Sequence, residues 1–267
     1  LAESAARVEK LVRTYARPAE GEINLSKTDK AAYDAAAEGI VLLKNEAAIL
    51  PLSSSSKIAL YGKFAENLLT CGEGSAGILT NRNVSFRKAL EERFAEVTLQ
   101  RLAEDTDALI YVYSLPGQEG NDRKEIFIPK AVTDEWEHLL AEADDRGIKK
   151  VLVLNVSGPV ALDMWEKRFD GIFCCFLPGM QGANALADCL VGTVNPSGKL
   201  PLSWPKRLED MPTYLNFPGD GMQVQYGEGI FVGYRWYDAR KIAPLYPFGY
   251  GLSYTEFSIE SVVAVQE

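Results

Sequence analysis

The sequence predicts an α/β fold: a three-layer sandwich in which a mostly parallel sheet of about six strands is flanked by helices, followed by a long irregular C-terminal wrap. Three observations lead there. Short, continuously apolar runs such as Lys57-Ile-Ala-Leu-Tyr61 and Ala108-Leu-Ile-Tyr-Val-Tyr113 read as strands buried on both faces. Segments with apolar residues three and four apart separate these runs and read as helices. After Val191 both periods stop, and Pro196, Gly198, Pro201, Pro205, Pro212 and Pro218 punctuate a stretch of a length that often carries function.

The elements follow in order. Ala5, Val8, Leu11, Val12 and Tyr15 make an apolar stripe over residues 2–16, which Pro18 should end. Residues 17–27 read as a linker. A second helix is expected from Asp29 to Gly39, capped by Ser26 or Thr28. The apolar run Ile40 to Leu43 should lead into a loop at Lys44 and Asn45. Strands are then expected at Lys57–Tyr61, Glu96–Leu99, Ala108–Tyr113, Lys150–Asn155 and Gly171–Phe176. Helices are expected from Ser85 to Phe94, from Thr133 or Asp134 to Asp144, from Ala161 to Lys167, and from Gln181 to Val191. The tail from Phe257 alternates like the start of another strand.

Composition narrows the function. With 267 residues, 47% of them hydrophobic, the chain can bury a large core without metal or disulfide staples. No run reaches the ~20 apolar residues that a membrane-spanning helix needs, so no membrane partner is expected. The net charge of −9 disfavours nucleic acid, whose phosphates such a chain would repel. Cys71, Cys174, Cys175 and Cys189 lack the spacing of a zinc site. Cys174 and Cys175 are neighbours in one strand and should face opposite ways, as buried thiols. Reduced cysteines lean towards a reducing compartment such as the cytoplasm, although the compartment of the full protein stays open. The chain opens at Leu1 inside an amphipathic pattern, so a fragment of a longer protein is expected.

Several chemistries lack their residues. His138 is the single histidine, which rules out multi-histidine metal sites, and no Gly-x-Ser-x-Gly elbow accompanies it. It is expected on the polar face of a helix. Neither a metal nor a cofactor is implied. Cys71-Gly-Glu-Gly-Ser-Ala-Gly77 is rich in glycine but lacks the Gly-Lys-Ser ending of a phosphate loop, and its Glu73 would oppose phosphate. It reads as a flexible loop at the carboxyl edge of the sheet, where open α/β folds place their sites. Pro116-Gly-Gln-Glu-Gly-Asn-Asp-Arg123 follows a strand at the same edge. It offers Glu119, Asp122 and Arg123, but taken alone it reads first as an ordinary solvated turn.

Five ordered segments change that balance. They are Ala35-Ala-Ala-Glu-Gly-Ile-Val-Leu-Leu-Lys-Asn45 with Ile49-Leu-Pro-Leu52, then Gly117-Gln-Glu-Gly-Asn-Asp-Arg123, then Asn195-Pro-Ser-Gly-Lys-Leu-Pro201, then Tyr234-Arg-Trp-Tyr-Asp238, then Tyr246-Pro-Phe-Gly-Tyr-Gly-Leu-Ser-Tyr254. In this order, over nearly the whole chain, they resemble the second, α/β sandwich domain of glycoside hydrolase family 3, the β-glucosidase family. The resemblance implies that residues 1–25 are the end of a preceding (β/α)8 barrel and a linker. It makes residues 26–255 the sandwich domain, and residues 256–267 the lead into a fibronectin-like third domain.

The same resemblance implies a retaining, exo-acting β-glycosidase, β-glucosidase before other sugars, with the nucleophilic aspartate on the barrel and outside this chain. Glu119 matches the family's general acid/base through Gly120, Asp122 and Arg123, although Pro116-Gly-Gln precedes it where the family often has Ser-Gly. Ser75 and Glu73 are the implied substrate-binding residues; Asp122 and Arg123 would support the loop. Arg123 should pair with Asp122 or another acid, because a cation against Glu119 would disfavour the protonated acid. Glu73 and Glu228 are rival carboxylates, Glu228 being read as structural. The implied partners are a β-linked oligosaccharide or an aryl or alkyl glycoside, and the barrel of the same chain; a homodimer stays open. The alternative is a non-catalytic carbohydrate-binding or structural α/β module. Trp236, Tyr237 and Tyr250 could stack on sugar in such a module, but packing of the wrap is their expected role.

Overall fold

In the computed structural model, residues 1–16, 23–123, 125–162 and 164–265 are described. Helices α1 (Ala2–Tyr15) and α2 (Leu25–Gly39) come first, then strands β1 (Val41–Asn45) and β2 (Lys57–Tyr61). Helix α3 (Phe86–Glu91) leads to β3 (Glu96–Leu99) and β4 (Ala108–Leu115). Helix α4 (Lys130–Asp145), β5 (Lys149–Val156), β6 (Gly171–Cys174) and α5 (Gly182–Val191) follow, and a short α6 (Tyr234–Arg240) interrupts the C-terminal wrap.

The six strands form one sheet in the order β1-β6-β5-β4-β2-β3. Every pairing is parallel except that of β1 with β6. Strand residues alternate between two cores because successive side chains leave opposite faces. Val151 and Val153 join one core, under α2, α3 and α5. Leu152 and Leu154 join the other, under α4 and the wrap around Trp204. Apolar side chains on both faces explain why the strands read as unbroken hydrophobic runs. Cys174 and Cys175 fall into opposite cores, as strand geometry requires.

The helical layer on the first face is pinned by one polar cluster. Arg93, just beyond α3, donates from Nε and Nη2 to the two oxygens of Asp188 on α5, at 2.8 and 3.0 Å. Tyr33 on α2 donates to the same carboxylate at 2.7 Å. The opposite face is dominated by Trp136, fully buried and packed edge-on against Tyr111, Tyr113, Trp165 and Phe169.

The structure moves several boundaries, each for a local reason. Helix α2 begins at Leu25, capped by Asn24, whose side chain accepts from the Lys27 amide. Thr28 lies inside that helix and bonds back to the Leu25 carbonyl. Of the expected linker, residues 17–22, with Pro18, lie outside the described residues. Lys44 and Asn45 extend β1 instead of forming a loop, since their backbones pair with Ile172 and Gly171. Helix α4 starts one turn early, at Lys130, because Val132 continues the stripe of Trp136, Leu139 and Ala143.

Strand β6 stops at Cys174, and Phe176 turns the chain with φ of 49°. The helix expected from Ala161 to Lys167 is absent, with Asp163 outside the described residues. Residues 160–162 run alongside Ile126, whose carbonyl accepts from the Ala161 amide, and only a 3-10 turn, Glu166–Arg168, follows. The alternating tail forms no strand among the described residues. Phe257, Ile259, Val262 and Val265 are exposed, and a lone strand has no ladder to satisfy it.

Helix α1 and the wrap also carry apolar side chains in contact with solvent. Helix α1 buries none of its residues, and Val8, Leu11, Val12 and Tyr15 stand free. In the wrap, Leu215, Tyr226, Ile230 and Val232 are likewise exposed.

Candidate active site

Chain connectivity places the site. Strand β2 continues through α3, on the first face, to β3 at one edge. Strand β4 continues through α4, on the other face, to β5 in the opposite direction. The connections therefore diverge between the adjacent strands β2 and β4. At such a switch point the loops leaving the carboxyl ends separate and open a crevice. The loop after β2 holds Cys71 to Gly77, and the loop after β4 holds Pro116 to Arg123.

The two loops are tied to each other. The Glu73 amide donates to the Gly117 carbonyl at 2.8 Å, and Glu73 and Gln118 form an isolated parallel bridge. This contact uses the backbone of Glu73 and leaves its residue exposed. A 3-10 turn, Gly74–Ala76, then carries Ser75 over the second loop, where its hydroxyl donates to Oε2 of Glu119. Glu119 is exposed, at a tight turn in which Gly120 takes φ of 74°, a left-handed backbone that glycine adopts without a Cβ penalty. The Asn121 amide closes the turn on the Gln118 carbonyl. Gly117 is needed for a different reason. A Cβ built there would lie 2.6 Å from Cβ and 2.8 Å from Oγ of Ser157, at the exit of β5.

Arg123 departs from expectation. It makes no ion pair with Asp122 or any other acid among the described residues. Instead Nη1 donates to the Pro159 carbonyl at 3.0 Å, tying the loop after β4 to the loop after β5. Adjacent side chains in an irregular loop need not face each other, and the half-buried guanidinium takes the nearest acceptor. Burial lowers the Arg123 pKa from its ordinary value, and the neighbouring Tyr113 works against that shift. Asp122 is exposed. The consequence for Glu119 is the expected one: its hydrogen-bond partner is the neutral Ser75, not the guanidinium.

The other residues singled out from the sequence sit elsewhere. Glu228 lies in a groove of the wrap with Phe231, Trp236 and Arg240, apart from the paired loops. His138 is exposed on α4. Tyr237 is buried, Tyr250 stacks on Tyr246 with ring centroids 5.2 Å apart, and Trp236 lies under Arg240, so these aromatics pack the wrap. Burial pushes the thiols of Cys174 and Cys189 up to about 12, which keeps them protonated and unreactive.

One residue passed unnoticed in the sequence. Asn155 is fully buried near the end of β5, between the stems of both loops. The only signal was a polar amide closing an otherwise apolar strand.

Comparison with known proteins agrees with this fold. Residues 40–254 match the model of the glycosyl hydrolase family 3 C-terminal domain. The thermostable β-glucosidase B of Acetivibrio thermocellus is 34% identical over 96% of this chain and 37% of its own length. An exo-α-(1→6)-L-arabinopyranosidase of Bifidobacterium longum is 36% identical over 89% of this chain and 35% of its own. The structure of β-glucosidase 3B from Thermotoga neapolitana in complex with α-D-glucose superimposes with a TM-score of 0.81 at 32% identity, covering 88% of this chain and 39% of that one. The chain thus spans little more than a third of the length of these relatives.

Proposed function

The chain belongs to glycosyl hydrolase family 3, as its C-terminal domain, and on that premise we propose that it is the acid/base half of a retaining β-glycosidase, with Glu119 as the proton donor and acceptor. The observation that carries the reading is the pairing of the two carboxyl-edge loops. It presents Glu119 to solvent, held by a neutral hydroxyl and, among the described residues, paired with no cation.

Retaining hydrolysis uses two carboxyl groups about 5–5.5 Å apart across the scissile bond. One attacks the anomeric carbon while the other protonates the departing oxygen. The second then removes a proton from the water that cleaves the glycosyl-enzyme ester. A side chain in this role must hold its proton at the start, give it to the departing oxygen as the glycosidic bond breaks, and then accept one from water. Glu119 has the exposure and the mobile-proton neighbour for that exchange, since the Ser75 hydroxyl can rotate as the carboxyl changes state.

The nucleophile is assigned to a (β/α)8 barrel outside residues 1–267. Residues 1–25 are read as the end of that barrel with its linker, residues 26–255 as the sandwich domain, and residues 256–267 as the lead into a third domain. The bare apolar stripe of α1 and the exposed apolar side chains of the wrap suit surfaces that a neighbouring domain would cover. The substrate is a β-linked oligosaccharide or an aryl or alkyl β-glycoside, with glucose as the leading sugar. A glucosidase and an arabinopyranosidase match this chain about equally well, which fits a sugar subsite built mainly by the barrel.

The test is Glu119→Ala in the full-length protein. Hydrolysis of alkyl glycosides should collapse, that of activated aryl glycosides should fall much less, and azide should restore turnover. Equal loss on both classes without rescue would remove Glu119 from the role.

A further inference from the structure

We infer that Asn155 is a positioning residue for the acid/base: its buried amide fixes the stems of both loops, and so sets where Glu119 meets substrate. The inference rests on the reading of Glu119 given above.

A primary amide offers two donors and two acceptor lone pairs, and Asn155 uses all four. Oδ1 accepts from the Leu69 amide at 2.8 Å and stands 3.0 Å from the Ser114 hydroxyl, which donates to it. Nδ2 donates to the Leu69 carbonyl at 2.9 Å and to the Phe176 carbonyl at 2.7 Å. Leu69 is therefore gripped on both backbone atoms, two residues before Cys71 opens the glycine-rich loop. Ser114 is the register partner of Asn155 in the β4–β5 ladder and stands two residues before Pro116 opens the acid/base loop. Phe176 turns the exit of β6, and beyond it the Gly179 amide donates to the Thr70 carbonyl.

What Asn155 joins is loops, not layers. The helices of the same face are held together by the Asp188, Arg93 and Tyr33 cluster, which shares no residue with the Asn155 network. The segments gripped by Asn155 are the ones that meet again above it, where Glu73 pairs with Gly117 and Ser75 reaches Glu119. A polar amide sealed among apolar strands is costly unless every bond is made, so the loop stems have one low-energy arrangement. A shift there is passed to Glu119 through the Glu73–Gly117 pairing.

The experiment uses the full-length protein with Asn155→Asp, which is isosteric but loses donors opposite two carbonyls, and Ser114→Ala, which removes one bond. The first readout is the ratio of kcat/KM on a dinitrophenyl glucoside to that on an alkyl glucoside. Misplacing the acid by about 1 Å should raise that ratio about tenfold to 100-fold in Asn155→Asp, and a few-fold in Ser114→Ala. The second readout is amide hydrogen exchange at Leu69 and Glu73, which should quicken while the α2 and α5 amides stay protected.

A folded Asn155→Asp protein with an unchanged ratio and unchanged exchange overturns the inference. If that variant does not fold, an unchanged ratio and exchange in Ser114→Ala does so. Glu119→Gln is measured alongside. An unchanged ratio there means that the acid/base reading has failed, whereas a raised ratio there with none in the Asn155 and Ser114 variants means that only the positioning role has.

Discussion

The hydroxyl of Ser75 donates to Oε2 of Glu119 from a loop 44 residues earlier in the chain. This contact makes the glycine-rich segment a part of the proposed acid/base site. In the full-length protein, Ser75→Ala should lower turnover of alkyl glycosides about tenfold, the worth of one hydrogen bond of about 1.4 kcal/mol. Ser75→Thr keeps the hydroxyl and should retain most of the activity. Wild-type turnover by Ser75→Ala would show that the bond has no catalytic weight.

Gly117 gives a steric test of the same geometry. A methyl group there collides with Ser157, at 2.6 Å from its Cβ. Gly117→Ala should displace the acid/base loop and reduce kcat by about 100-fold, with little change in thermal stability. Adding Ser157→Gly removes the obstacle and should restore much of the loss. No recovery in the double variant would mean that the close approach is not what limits position 117.

The Asp188 cluster should govern acid stability. Burial pushes the Asp188 carboxyl up, but hydrogen bonds from Arg93 and Tyr33 and the Arg93 charge outweigh it, and the folded pKa is lowered. A depressed folded pKa contributes stability that is fully present above the unfolded value, about 3.9, and lost as pH falls through the folded value. The wild-type domain should thus lose urea resistance below about pH 4. Asp188→Asn should be less stable at pH 7 by about 3 kcal/mol, since it leaves Arg93 mostly buried without its counter-charge. Its stability should also change less over the acid range. An equal acid slope in both proteins would assign acid sensitivity elsewhere.

The chain alone should bind neither half of the reaction productively. On the proposal that the nucleophile lies outside residues 1–267, purified isolated chain should give no turnover of aryl β-glucosides. Mixing it with a separately produced barrel, the proposed source of the nucleophile, should restore some. Steady hydrolysis by the isolated chain, proportional to its concentration and abolished by Glu119→Ala, would place a complete site within it.

Sequence alone determined the layers and the leading candidate. Strands buried on both faces read as unbroken apolar runs, and helices with one buried face read at a 3.6-residue period. Both signals are local, so the α/β class and most strand positions were legible before any coordinates. Glu119 became the leading candidate only through the ordered family segments, because polar residues in a turn look alike whether they act or merely dissolve. Helix starts shifted by a turn, and at the start of the helix expected from Ala161 the chain instead bonds the Ile126 carbonyl, because those choices depend on neighbours distant in sequence.

The tertiary structure decided what surrounds Glu119. Which strands adjoin, and hence the switch point between β2 and β4, follows from sheet order, which no local pattern encodes. Arg123 was expected to find an acid and found the Pro159 carbonyl, 36 residues away. Asn155 joins Leu69, Ser114 and Phe176 across up to 86 residues. The physical reason is the same in each case. Hydrophobic period reports which face of an element is buried, whereas a hydrogen bond between loops needs two distant backbones placed within about 3 Å, and only the packed sheet brings them there.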